Sequence, residues 1–151
     1  MNLRKSIALI FCTGTLLVAF KADKKGVRQS DVIFKAQIEK RESKKITIVT
    51  ELINNSDSTL NYLTMSCDSL IVYRIESKKL GLIPMICESN FPVNARLLPH
   101  KTLKRKLTLI YNRQSSYIDT SLKIGFNLFD NEQEMFNERT SHVIWSGNLL
   151  K

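Results

Sequence analysis

The sequence predicts an all-β fold, an antiparallel sandwich of about seven to nine short strands. Three observations carry that expectation. Apolar residues recur with a period of two rather than 3.6, polar turn clusters interrupt them at short intervals, and no segment forms a convincing amphipathic helix. The chain is 151 residues long, which suits one domain behind a presequence: residues 1–22 read as the presequence and residues 23–151 as the sandwich.

The strands follow in order. Val32, Phe34, Ala36 and Ile38 alternate with Lys35, Gln37 and Glu39, the pattern of a half-buried strand. After a polar turn, Ile46, Ile48, Thr50 and Leu52 line one face of a second strand, while Val49 and Ile53 imply that its other face is partly covered. Asn54, Asn55, Ser56, Asp57 and Ser58 form a turn cluster whose side chains bond their own backbone. Leu60, Tyr62, Leu63 and Met65 make a third strand, and residues 70–75 are rich in β-formers. A turn at residues 76–81 follows. Val93, Ala95 and Leu97 give a short strand that stops at Pro99 and His100.

Leu103, Leu107 and Leu109 mark the next strand, opposite Lys104, Lys106 and Thr108. Arg105 falls on the apolar side and is expected to snorkel near an end of the sheet. Residues 112–120 read as a loop. Ile124, Phe126 and Leu128 form a strand in which Gly125 allows a close approach or a bulge. Residues 130–140 read as a solvated acidic connection, and residues 143–148 as the last strand, with Trp145 in the core.

The N-terminus has the three-part layout of a secretory signal peptide: Arg4 and Lys5, an apolar run over residues 7–20, then Lys21, Asp23, Lys24 and Lys25. As a helix that run spans about 21 Å, short of the roughly 30 Å hydrocarbon core. Ala19 and Ala22 are the candidate small residues before the cut, and Cys12, preceded by the bulky Phe11, is a poor lipidation site. Cleavage after residue 22 removes Arg4, Lys5 and Lys21 and no acid, so the net charge falls from +9 to +6. The remaining basic residues are dispersed at turns or alternate along strands, the arrangement of a solvated surface rather than of a nucleic-acid site. Cys67 and Cys87 are then an even pair in an oxidising compartment, which predicts a disulfide.

Few residues point to chemistry. His100 is expected to cap the turn after Pro99 and His142 to lie on the outer face of a strand; neither sits in a nucleophile or metal motif. Asp130, Glu132, Glu134 and Glu138 lack the glycine and terminal bidentate glutamate of a calcium loop. No cofactor, no metal and no catalytic residue is expected. The candidate binding loop is Glu88, Ser89, Asn90, Phe91 and Pro92, tied at one end by Cys87 and stiffened by Pro92. Phe91 is expected to anchor it in a small satellite core.

The run Leu60-Asn61-Tyr62-Leu63-Thr64-Met65-Ser66-Cys67, followed by Ile86-Cys87, Asn90-Phe91-Pro92 and Leu97-Leu98-Pro99-His100-Lys101, resembles a group of small, uncharacterised exported proteins of Bacteroidota-type bacteria. Over roughly residues 30–130 the order of strands and turns is also distantly similar to the BsuPI-type proteinase inhibitors. That likeness implies an immunoglobulin-like sandwich. A true immunoglobulin domain carries a tryptophan between its cysteines, whereas Trp145 lies beyond both. The resulting expectation is an exported, non-enzymatic interaction module, periplasmic, cell-surface or secreted. Its partner would be a protein or glycan, not nucleic acid, and it would have no stable membrane span after processing. The alternative is a proteinase inhibitor presenting residues 86–92.

Overall fold

The computed structural model describes residues 27–83, 86–111, 121–137 and 142–150. The expected presequence, Cys12 and Glu138 lie outside the described residues, as does the loop expected over 112–120. Among the described residues nine strands run in order: β1 (Val32–Arg41), β2 (Lys45–Asn54), β3 (Leu60–Met65), β4 (Tyr73–Glu76), β5 (Leu80–Leu82), β6 (Pro92–Leu97), β7 (Thr102–Tyr111), β8 (Lys123–Leu128) and β9 (His142–Trp145). Every pairing is antiparallel. One layer is the sheet β1-β2-β7-β5; the other holds β3-β6 and β4-β8-β9. The two parts of the second layer are stitched by the Leu63 N–H, which donates to the Phe129 carbonyl at 3.0 Å. Among the described residues no helix is long and apolar enough to cross a membrane.

The period-two pattern decides which side of each strand is dry. In β2, Ile46, Ile48, Thr50, Leu52 and Asn54 are buried, and the residues between them are half-buried. Their inner-face partners are Leu109, Leu107 and Leu103 on β7 and Phe34 and Ile38 on β1. Phe126 of β8 closes the core from the other layer. Its ring lies 5.4 Å from Tyr62 and 5.4 Å from Tyr73, both edge-on, and 5.7 Å from Phe34. Edge-to-face contacts of this kind add about 0.5–1.5 kcal/mol each beyond the area they bury.

Asn54, fully buried at the end of β2, joins the layers. Its Nδ2 donates to the carbonyls of Ser58 at 2.8 Å, Leu97 at 3.0 Å and Leu98 at 3.3 Å. Its Oδ1 accepts from the Ser56 N–H at 3.1 Å and the Ser56 hydroxyl at 2.7 Å. The turn cluster therefore bonds its own backbone as expected, and in addition clamps the end of β6 in the opposite layer. Beyond it, His100 occupies the left-handed region at φ 56° in the Leu98–Lys101 turn, with Nε2 3.0 Å from Asp57 Oδ1.

Five local expectations need correction, and the first is the turn over residues 76–81, which ends early because Leu80 and Gly81 already pair with β7 as part of β5. Residues 70–75 are not one strand: Ser69–Val72 is a 3₁₀ turn whose cap, Asp68, accepts from the Leu70 N–H at 3.0 Å, and only then does β4 begin. The acidic connection contains a one-turn helix, α1 (Glu132–Phe136), because Asn131 caps it by accepting from the Glu134 N–H while the Glu134 carboxylate reaches back to the Asp130 N–H. The last strand is β9, not residues 143–148. Trp145 is not a core residue; it is 39% exposed on edge strand β9, opposite Gly125.

Gly125 shows why. A Cβ there would stand 2.5 Å from Val143 Cγ1 and 3.0 Å from Trp145 Cε3, so the indole lies on bare backbone. Gly125→Ala is expected to destabilise the fold by about 1–3 kcal/mol through overpacking, read from the denaturant midpoint. Asn54→Ala removes the amide that ties the end of β2 to the Leu97 and Leu98 carbonyls at the end of β6, and is expected to cost about 2–4 kcal/mol in the same measurement. Asn54→Asp should cost more, since a carboxylate would face those carbonyls.

Candidate functional site

The disulfide forms between Cys67 and Cys87, with Cα atoms 6.2 Å apart. It closes a loop across a sequence separation of 20, worth about 3 kcal/mol in the chain-entropy account. The bridge sits just past the ends of β3 and β6, where the ladder continues beyond the Met65–Pro92 pair. The Ser66 N–H donates to the Phe91 carbonyl at 2.9 Å, and the Phe91 N–H donates to the Ser66 hydroxyl at 3.2 Å. The Asn90 Oδ1 accepts from the N–H groups of Cys67 at 3.2 Å and Asp68 at 3.4 Å. Side chains thus stand in for main chain where the strand pair gives out.

Glu88, Ser89, Asn90 and Phe91 are exposed on this braced segment, while Pro92 is half-buried as the first residue of β6. Phe91 is not an anchor in a satellite core: it is 57% exposed, and Ile86 is 100% exposed. Its backbone is already held on both sides by Ser66, so the fold does not need its ring inside.

A second feature joins residues far apart in sequence. Tyr62 and Thr64 of β3, Tyr73 of β4 and Arg105 of β7 line one cleft of about 110 Å³ between the layers, together with Ser69. Among the described residues β5 pairs with β7 from Leu109 to Tyr111, short of Arg105. Arg105 is exposed, although it stands on the core-facing row of β7. Thr50, next to it on the inner face, lies 3.2 Å from the Arg105 carbonyl and 3.4 Å from the Tyr73 hydroxyl. Burial pushes both phenols up; Tyr73 raises Tyr62 further, and the Arg105 charge opposes the rise at each. The one sequence signal of this cleft was a cation out of pattern on an apolar face.

The remaining polar groups are dispersed. His142 is exposed and lines a cavity of about 180 Å³ with Asp130, Asn61 and four apolar side chains, none of them a nucleophile. His100 is exposed beside Asp57, far in sequence and in structural role from that groove. Glu134 is occupied as a cap: it accepts from the Asp130 N–H at 3.1 Å and the Asn131 amide at 2.9 Å. Among the described residues no three His, Cys, Asp or Glu side chains gather as a metal site. Comparison with family models, with curated proteins and with solved structures gives no match.

The raised phenols set a pH dependence. Above the ordinary phenol value of 10.0 the unfolded chain has lost protons that the folded chain still holds. The stability they contribute is therefore complete below that value and is lost as pH rises through the folded pKa values. Tyr62→Phe and Tyr73→Phe should each flatten this alkaline decline in melting temperature and remove one late step from the ultraviolet phenol titration.

Proposed function

We propose that the chain is an exported, non-enzymatic binding module that engages a protein partner through residues 86–92. The observation that carries this reading is Phe91, an exposed aromatic on a segment held by a disulfide, an asparagine side chain and two Ser66 hydrogen bonds. An aromatic anchor that is already fixed loses little entropy on binding, the property that makes such residues dominate interfaces. Ile86, apolar and fully exposed, extends the same surface. Export is supported by the joined cysteine pair and by the charged, then apolar, N-terminus. The long crossovers that put β2 beside β7 and β3 beside β6 agree with an immunoglobulin-like arrangement.

The inhibitor alternative draws on the same brace. A protease cleft grips an extended main chain, however, and the N–H and C=O of Phe91 are already committed to Ser66. The geometry therefore favours recognition through side chains over presentation of a scissile-bond mimic.

The experiment is affinity capture from envelope extract by the mature chain, compared with Phe91→Ala and with the disulfide reduced. The expected result is a protein retained by the wild type and weakened at least about ten-fold by Phe91→Ala, with the melting temperature unchanged. Retention that ignores Phe91→Ala moves the site elsewhere; capture of glycan alone rejects the protein partner. Stoichiometric inhibition of a serine or cysteine protease by the wild type would establish the alternative.

A further inference from the structure

Arg105 stands in the core-facing row of the first sheet, in register with Thr50 and Ala36. Its strand neighbours Lys104 and Lys106 point to the opposite face and bond Glu51 at 2.7 Å and Glu39 at 2.6 Å. Glu42, the other acid at this sheet, pairs with Lys40 and Lys45. The carboxylates of the sheet are thus spent on its outer face. Among the described residues none pairs with the inner-face guanidinium.

The groups around it are donors. Thr64 Oγ1 is buried in the same cleft with no hydrogen-bond partner, a state that costs about 1–3 kcal/mol if nothing fills it. Tyr62 and Tyr73 line the cleft as well, and burial raises both phenols, so each hydroxyl keeps its proton; that of Tyr73 also accepts from the Thr50 hydroxyl at 3.4 Å. One cation, several neutral donors and no fixed acid define a site that lacks one negative charge. The walls that remain, Val72, Ala95, Leu103 and Phe126, are apolar.

We propose that this cleft binds a carboxylate with a short apolar tail. The Arg105 fork takes the two oxygens side by side, the geometry a guanidinium matches best. The Thr64 and tyrosine hydroxyls supply further donors, and the apolar walls hold the tail. A volume of about 110 Å³ suits a small acid rather than a long chain. A single guanidinium suits a monoanion; a dianionic phosphate would call for more positive charge. Two sources share this chemistry, a free short-chain acid and the C-terminus of a peptide ending in a small apolar residue.

The test is a titration of the disulfide-bonded chain, followed by heteronuclear NMR, with acetate, propionate and isobutyrate and with a short peptide ending in valine, free or amidated. The expected result is saturable shifts centred on Tyr62, Thr64, Tyr73 and Arg105, at least about ten-fold weaker binding in Arg105→Met, and weaker binding in Thr64→Val, with both variants melting cooperatively. Thr64→Val serves alone should Arg105→Met not fold. Binding of the free acids assigns the site to a small metabolite, and binding confined to the unamidated peptide assigns it to a chain end; either supports a carboxylate site. No saturable binding of any of these, affinity unchanged in both variants, or inorganic phosphate bound more tightly than every carboxylate overturns the proposal.

Discussion

The architecture depends on one buried amide. Two β-layers can slide unless something polar fixes their relative position, since apolar contact alone has little direction. Asn54 supplies that fixing. It ends β2, which lies between β1 and β7, and donates across to the carbonyls that end β6 in the other layer. Its oxygen shapes the turn that leads into β3, and its own N–H donates to the Lys101 carbonyl just before β7. With the ends of β2, β6 and the entry to β7 held at one point, the registers of both layers follow from it. The disulfide does comparable work at the opposite end of the β3–β6 pair, by covalent means.

The strands were legible because a sheet with one dry face leaves a period-two trace. β1, β2, β3, β7 and β8 appear where alternation places them, and the cysteine pairing agrees with the even count expected once a presequence is set aside. The misses have particular causes. In residues 69–72 the β-branched content outweighed the local signal of Asp68, whose carboxylate caps a 3₁₀ turn. In residues 131–134 the capping Asn131 was present but stood inside a run whose polarity reads as loop. Phe91 and Trp145 read as inward from sequence because large aromatics usually are. Phe91 escapes because Ser66 holds its backbone, and Trp145 because it lies on an edge strand over a glycine. The candidate loop was thus visible in sequence, whereas its exposed ring was not. The cleft was invisible: residues 62, 64, 73 and 105 meet only through the topology, and alternation marked just one of them as unusual.

Charge placement serves assembly as well as solubility. β1 is an edge strand, and an unpaired edge invites another chain to add to it. This one carries Lys35, Lys40 and Arg41 and breaks register between Ile38 and Lys40. Both features discourage edge-to-edge pairing. The outer ion pairs Lys104–Glu51 and Lys106–Glu39 are exposed and screened by water, so they add little to stability. Their larger effect is to organise a basic face without leaving an apolar one.

The seat of Trp145 on Gly125 also gives the molecule two separate optical reporters. It is the sole tryptophan, half in water on the outermost strand of its sheet, so its emission follows the peeling of β9. Tyr62 and Tyr73 pack on Phe126 at the centre, and their absorbance follows the opening of the two layers. Where those signals diverge, the last strand is fraying while the sandwich stays closed, a partly open state that a single probe would merge with global unfolding.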